Sequence, residues 1–246
     1  MTAGDSSLGD QAISKAVEMG LSTQLDDAEK LDVDVRTNPG SLMKGEVDSV
    51  EIEGKGMVMK GELRTEKLTV QTGNIAVNPL KAAFGQIELT RPTDASTVML
   101  LKEDDIERAF NSEYIKNKLQ NLEINVDGQP VRVNTQRVEF KLPGEGKVAI
   151  AADVTLAETG ESKHLAFTAV PKMALSGQQV ELQEVQPTTG GDVSALTNCL
   201  VQSAQELLDL RNFEVPGMEL CLNRVDIRQG EMELKADARV TEFPGG

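Results

Sequence analysis

Apolar and polar residues alternate along most of this chain. Leu31, Val33 and Val35 take turns with Asp32, Asp34 and Arg36, and Val50 and Ile52 with Glu51 and Glu53. Side chains of a strand point to opposite faces in turn, so each run predicts a strand with one wet face. Asn38-Pro39-Gly40 stops the first of them. Met57, Met59 and Leu63 follow what reads as a turn at Gly54-Lys55-Gly56. Leu68 and Val70 lead to a turn at Gly73-Asn74, and then come Ile75 and Val77, and Ile87 and Leu89. With no helix between them, these strands predict an antiparallel meander. Val98-Met99-Leu100-Leu101 is apolar on both faces and is expected to be buried.

The middle third repeats the pattern. Leu122, Ile124 and Val126 reach the hairpin signal Asp127-Gly128, followed by Val131 and Val133, then Val138, Phe140 and Leu142. After Pro143-Gly144-Glu145-Gly146, the positions Val148, Ile150, Ala152, Val154 and Leu156 give the cleanest strand in the chain. Leu165, Phe167 and Ala169 form another, which Pro171 is expected to interrupt, and Val180, Leu182 and Val185 one more. The chain closes on Met218, Leu220, Leu222, Val225 and Ile227, then Met232, Leu234, Ala236 and Ala238.

Three segments change period. Leu8, Ile13, Val17, Leu21 and Leu25 recur at helical spacing and predict a helix over 7–29. Ile106, Phe110, Tyr114 and Leu119 predict a second over 103–121, whose acidic start suits the positive end of the helix dipole. Leu196, Cys199, Leu200, Leu207 and Leu208 predict a third over 193–210. The expected fold is α+β: a single domain over residues 1–246, with a strongly curved antiparallel sheet around long amphipathic helices. At one constant offset Val50 and Ile52 align with Val225 and Ile227, Met57 with Met232, and Met59 with Leu234. Two helix-plus-sheet halves would explain this echo; so would two unrelated amphipathic hairpins.

Composition narrows the function. The net charge is −15, from 40 acidic and 25 basic residues, and aromatics make up 3%. Nucleic acid is bound by clustered cations and stacking rings, which this chain lacks. Cys199 and Cys221 read as two unpaired thiols. The N-terminal residues show neither a basic start nor an apolar run, so no leader is expected. No stretch approaches the ~20 apolar residues that span a bilayer. A soluble protein, cytoplasmic or peripheral to a membrane, is the expectation.

Catalytic chemistry finds little support. His164 is the sole histidine and reads as a surface loop residue. Gly54-Lys55-Gly56 and Gly144-Glu145-Gly146 do not open helices, so neither matches a phosphate-cradling loop. The best acid cluster, Glu103, Asp104, Asp105 and Glu107, is better explained as a helix start. No catalytic residue, metal or cofactor is expected. Flexible aliphatic side chains are what remains, and they suit an acyl chain, because Met adapts to irregular shapes and each buried CH₂ contributes about 0.8 kcal/mol.

The segment Leu42-Met43-Lys44-Gly45-Glu46-Val47-Asp48-Ser49-Val50-Glu51-Ile52 resembles a recurrent opening of the LmeA-like phospholipid-binding proteins: leucine, two variable residues, glycine, then a strand. Gly61-Glu62-Leu63, the run from Arg91 to Leu100 into the acidic helix, and Leu207-Leu208-Asp209-Leu210 with Phe213 to Met218 are also similar. The resemblance, closest to leaderless members of cyanobacterial type, implies a fold related to the tubular lipid-binding (TULIP) architecture. It implies a phospholipid or similar amphiphile as partner, and no catalytic residues. The residues expected to line an aliphatic groove are Ile13, Val17, Leu21, Val50, Ile52, Met57, Met59, Leu200, Leu207, Val225, Ile227, Met232 and Leu234. The leading expectation is therefore non-catalytic binding or transfer of lipid, with peripheral membrane contact. Its rivals are an adaptor in a membrane-associated complex without lipid cargo, and a hydrolase using Asp104, Asp105 and Glu107. The oligomeric state is open.

Overall fold

The computed structural model describes residues 8–22, 25–59, 63–82, 88–126, 129–174, 176–188, 194–207 and 217–242. Two antiparallel sheets dominate it. The larger has six strands in the order β1-β3-β4-β6-β13-β12 and the other five in the order β11-β10-β9-β8-β7. The first comprises β1 (Lys30–Arg36), β3 (Ser49–Met59), β4 (Leu63–Thr72), β6 (Thr93–Lys102), β12 (Met218–Arg228) and β13 (Glu231–Val240). The second comprises β7 (Leu122–Val126), β8 (Gln129–Gly144), β9 (Lys147–Leu156), β10 (Ser162–Met173) and β11 (Val180–Pro187). A small ladder joins β2 (Glu46–Val47) to β5 (Ile75–Ala76). The helices are α1 (Leu8–Ser22), α2 (Pro39–Leu42), α3 (Pro79–Ala82), α4 (Glu103–Phe110), α5 (Glu113–Lys118) and α6 (Ser194–Leu207).

Strand alternation builds the main core. On β9, Val148, Ile150, Ala152 and Val154 are all buried, joined by Phe140 and Leu142 of β8 and Leu165 and Phe167 of β10. Helix α6 drops Leu196, Leu200 and Ala204 into this cluster. It touches β11 and β7, the two opposite edges of the sheet, as well as β10 between them. A sheet whose two edges meet one helix must curl around it. Irregular registers after Thr135 and Lys141 on β8 and after Thr168 on β10 supply the bends, because an extra residue in one strand increases local twist.

Each free edge of the larger sheet is covered. Helix α1 lies along β1, where Ser14 Oγ accepts the Val35 N–H at 2.9 Å. The turn between β10 and β11 docks on β12, where Gly177 O accepts the Leu222 N–H at 2.7 Å. Unpaired strand edges invite pairing with other chains, so this covering limits aggregation. Gly177 has φ +67°, and a Cβ there would fall 2.4 Å from Cys221 Sγ. Gly177→Ala should therefore lower stability by about 1–3 kcal/mol, read from a denaturant titration.

Helix α4 is bound to β8 through side chains. Glu103 accepts the Leu142 N–H at 2.6 Å, Glu107 accepts the Phe140 N–H at 3.3 Å, and Asn111 accepts the Val138 N–H at 3.2 Å. Four helix residues advance about 6 Å and two strand residues about 6.8 Å, so helix positions four apart match strand positions two apart. The acidic start thus satisfies a strand edge as well as the helix dipole.

Several expectations need correction. Among the described residues no helix is longer than the 15 residues of α1. Residues 25–29 beyond α1 are not helical, and the second segment splits into α4 and α5 where Ser112 turns the chain and caps α5. The third runs from Ser194 to Leu207, and residues 208–210 of its predicted span lie outside the described residues. Gly54-Lys55-Gly56 is no turn but the interior of β3, where Met57 folds back over Gly54. Val50 to Met59 is therefore one strand, whereas Val225 to Leu234 spans the hairpin turn at Gln229-Gly230, so the echoing segments are not equivalent. Pro171 does not break β10: it sits where the strand has left β9 and pairs Leu182 of β11. Val98 is exposed, so the apolar run of β6 is not buried on both faces. His164 lies on β10 rather than in a loop, with Nδ1 2.8 Å from Asp153. Leu89 makes only a bridge to Val77, and Ile87, the hairpin signal at Asp127-Gly128, and Leu208 lie outside the described residues.

Candidate functional site

Directly opposed residues in an antiparallel ladder share a face. The registers of the six-stranded sheet therefore define rows across it. One runs Val33, Ile52, Val70, Thr97, Ala236. The next runs Leu31, Gly54, Leu68, Met99, Leu234, Val225, and beyond it Leu101 meets Met232 and Ile227. On the other side of Val33, Val35 meets Val50, and Ala95 meets Ala238 and Leu220. All these rows lie on one face, and it carries no charge along them. The opposite face reads Asp32, Glu53, Thr69, Val98, Lys235.

The apolar face is unevenly covered. Met99, Ile227, Met232 and Leu234 pack against the core of the five-stranded sheet. Val50, Ile52, Leu68, Val70, Leu220 and Val225 are half-buried and stand outside that cluster. Val50, Ile52, Leu68 and Val70 are contiguous across β3 and β4, and Leu220 and Val225 share their face on β12, beyond β6 and β13.

The expected groove residues divide accordingly. Val50, Ile52, Val225, Ile227, Met232 and Leu234 share this face. Val17 and Leu21 are half-buried on α1, which runs beside β1. Met57 is buried over Gly54. Leu200 belongs to the packed core under α6. The side chains of Ile13, Met59 and Leu207 lie outside those described.

A cavity of about 770 Å³ opens at the end of the same sheet, between its strand ends and the turn carrying Ser176 and Gln178. Its walls are mixed, with Gln71, Asp94, Ser96, Asp237 and Arg239 beside Ala95, Leu220 and Ala238, and none of the expected groove residues reaches it. Hydrocarbon gains less from such walls than from an aliphatic surface, so the apolar face is the better acyl surface although it is not enclosed.

Chemistry for catalysis is not assembled. Glu103 and Glu107 share Lys141 Nζ at 3.2 and 3.1 Å, and buried Asp105 holds Arg64 at 3.0 Å and Arg108 at 2.8 Å. Asp105 and Glu107, two of the three acids proposed for a hydrolase, are thus engaged in holding elements together, while the third, Asp104, is exposed. Burial pushes the Cys199 thiol up, away from its reactive form. Among the described residues, no group of three or more His, Cys, Asp or Glu could hold a metal ion, and no helix is long and apolar enough to cross a membrane.

No curated protein and no solved structure matches this chain. A family model does: that of the LmeA-like phospholipid-binding proteins matches residues 4–237, nearly the whole length. With its paired antiparallel sheets and a one-sided aliphatic surface, the chain belongs to the LmeA-like phospholipid-binding family.

Proposed function

We propose that the protein binds a phospholipid or similar amphiphile without chemical change, laying acyl chain along the apolar face of the six-stranded sheet. The observation that carries this reading is the half-buried aliphatic surface formed by Val50, Ile52, Leu68, Val70 and Val225. A fully packed core would hide these side chains, and a wet surface would not have six strands agreeing on one face. Each methylene laid there contributes up to about 0.8 kcal/mol, so even half of a long chain outweighs the cost of ordering it. The family supplies the phospholipid class. Carriage between membranes would follow from the same surface, since binding without chemistry is reversible.

Gently purified protein examined by native mass spectrometry should carry a lipid-sized adduct, released on denaturation and identified as phospholipid by fragmentation. A monomeric fluorescent phospholipid should be taken up with saturation near one per chain. Absence of both the adduct and the uptake would refute the proposal.

A further inference from the structure

The small β2–β5 ladder brings two short helical turns together. Glu46 pairs Ala76, Val47 pairs Ile75, and the Val77 N–H donates to Gly45 O at 2.8 Å. Helix α2, capped by Asn38, precedes the first strand, and α3 follows the second. Met43, the C-cap of α2, is 86% exposed and Leu80, within α3, is 75% exposed; they are the two most exposed large apolar side chains among the described residues. Each is followed by an exposed lysine, Lys44 and Lys81.

Charge sets this end apart. Residues 36–48 carry Arg36 and Lys44 against Glu46 and Asp48, and residues 74–94 carry Lys81 and Arg91 against Glu88 and Asp94. Both segments are neutral in a chain of net charge −15. The acidic remainder would be held off a lipid surface, and this end would not. Met43 beside Lys44 also suits a bilayer surface, where the hydrocarbon enters and the ammonium reaches back to the phosphates; Lys81 is paired with Glu88, which leaves the turn around Leu80 neutral. Finally, the ladder continues from the strand ends Arg36, Ser49, Thr72 and Thr93, the end of the sheet where the apolar face and the cavity both terminate.

We infer that Met43 and Leu80 form a tip that docks on the surface of a lipid bilayer and sets the end of the six-stranded sheet against it. This rests on the lipid-binding reading and names the surface from which that lipid comes. Two side chains give a weak, reversible contact, as repeated loading requires.

The full chain would be sedimented with phosphatidylcholine vesicles, alongside Met43→Asp, Leu80→Asp, the double variant and Val98→Asp. Burying one such side chain is worth about tenfold or more in partition, so each single variant should lose about tenfold and the double about a hundredfold. Val98→Asp, an exposed apolar site on the charged face, should stay within about twofold. The double variant should still take up a short-chain fluorescent phospholipid presented as monomers, which separates failure of docking from failure of lipid binding. The inference is overturned if the wild type does not sediment with vesicles, or if the double variant sediments like the wild type. It is overturned equally if sedimentation equilibrium shows a wild-type dimer that the double variant abolishes, since a second copy would then be the occupant.

Discussion

Asp105→Ala should cost about 3 kcal/mol of unfolding free energy, the largest loss expected from any single polar side chain here. Asp105 lies in the first turn of α4 and is buried, with Arg64 of β4 on one oxygen and Arg108 on the other. The same helix holds β8 through Glu103, Glu107 and Asn111. It is therefore one tie between the six-stranded and five-stranded sheets, and Asp105 is its anchor on the first of them. Arg64 also bonds Glu66 and Glu29, and these acids hold its guanidinium above the ordinary range, fully charged. Removing Asp105 strips that cation of its best-buried partner. At roughly 2–4 °C per kcal/mol for a chain of this size, the midpoint should fall by about 6–12 °C, measured by calorimetry. The double variant Arg64→Met with Asp105→Leu should recover most of the loss, because no buried charge is then left unpaired. A single variant as stable as the wild type would show that α4 does not tie the sheets through this residue.

Sequence pattern gave the strands well and the helices poorly, and the reason is physical. A strand such as Val148 to Leu156 announces itself because alternation is set by the backbone and needs only one buried face. The helical segment over 103–121 had apolar residues at the right spacing, yet it breaks at Asn111-Ser112. Asn111 is drawn into bonds with Val138, 27 residues further along the chain, and Ser112 prefers to cap. Gly54 and Gly56 looked like a turn since glycine usually marks one. In fact Gly54 leaves room for Met57 to lie across the sheet, a requirement visible only once the strands are paired. The apolar face was half legible. Val50, Ile52, Val225 and Leu234 follow from alternation, but Leu68, Val70 and Thr97 join them only through register. That Met43 and Leu80 stand at one end of the sheet was not legible, because it depends on a ladder two residues long.

The apolar face itself can be tested on neighbouring rows of one sheet. Ile52→Asp should lower phospholipid uptake by about thirtyfold or more, whereas Val98→Asp should leave it within about twofold. Ile52 sits between Val33 and Val70 on the aliphatic side, and Val98 between Thr69 and Lys235 on the charged side. The two substitutions add the same carboxylate to adjacent rows of the same sheet. A carboxylate facing acyl chain must either stay hydrated and push the chain away or give up hydration, and either costs more than 2 kcal/mol. On the charged side it meets water and Lys235. Ile52 is half-buried, so its variant is also expected to lose some stability, and uptake must be compared at a temperature where both proteins are folded by circular dichroism. The pair Ile52→Thr with Val70→Thr keeps shape nearly intact while setting two hydroxyls under the chain. It should cost about tenfold in uptake, with a smaller loss of stability than Ile52→Asp. Equal uptake in Ile52→Asp, Val98→Asp and the wild type would mean that hydrocarbon lies elsewhere, and that the half-buried rows are only an unfinished core.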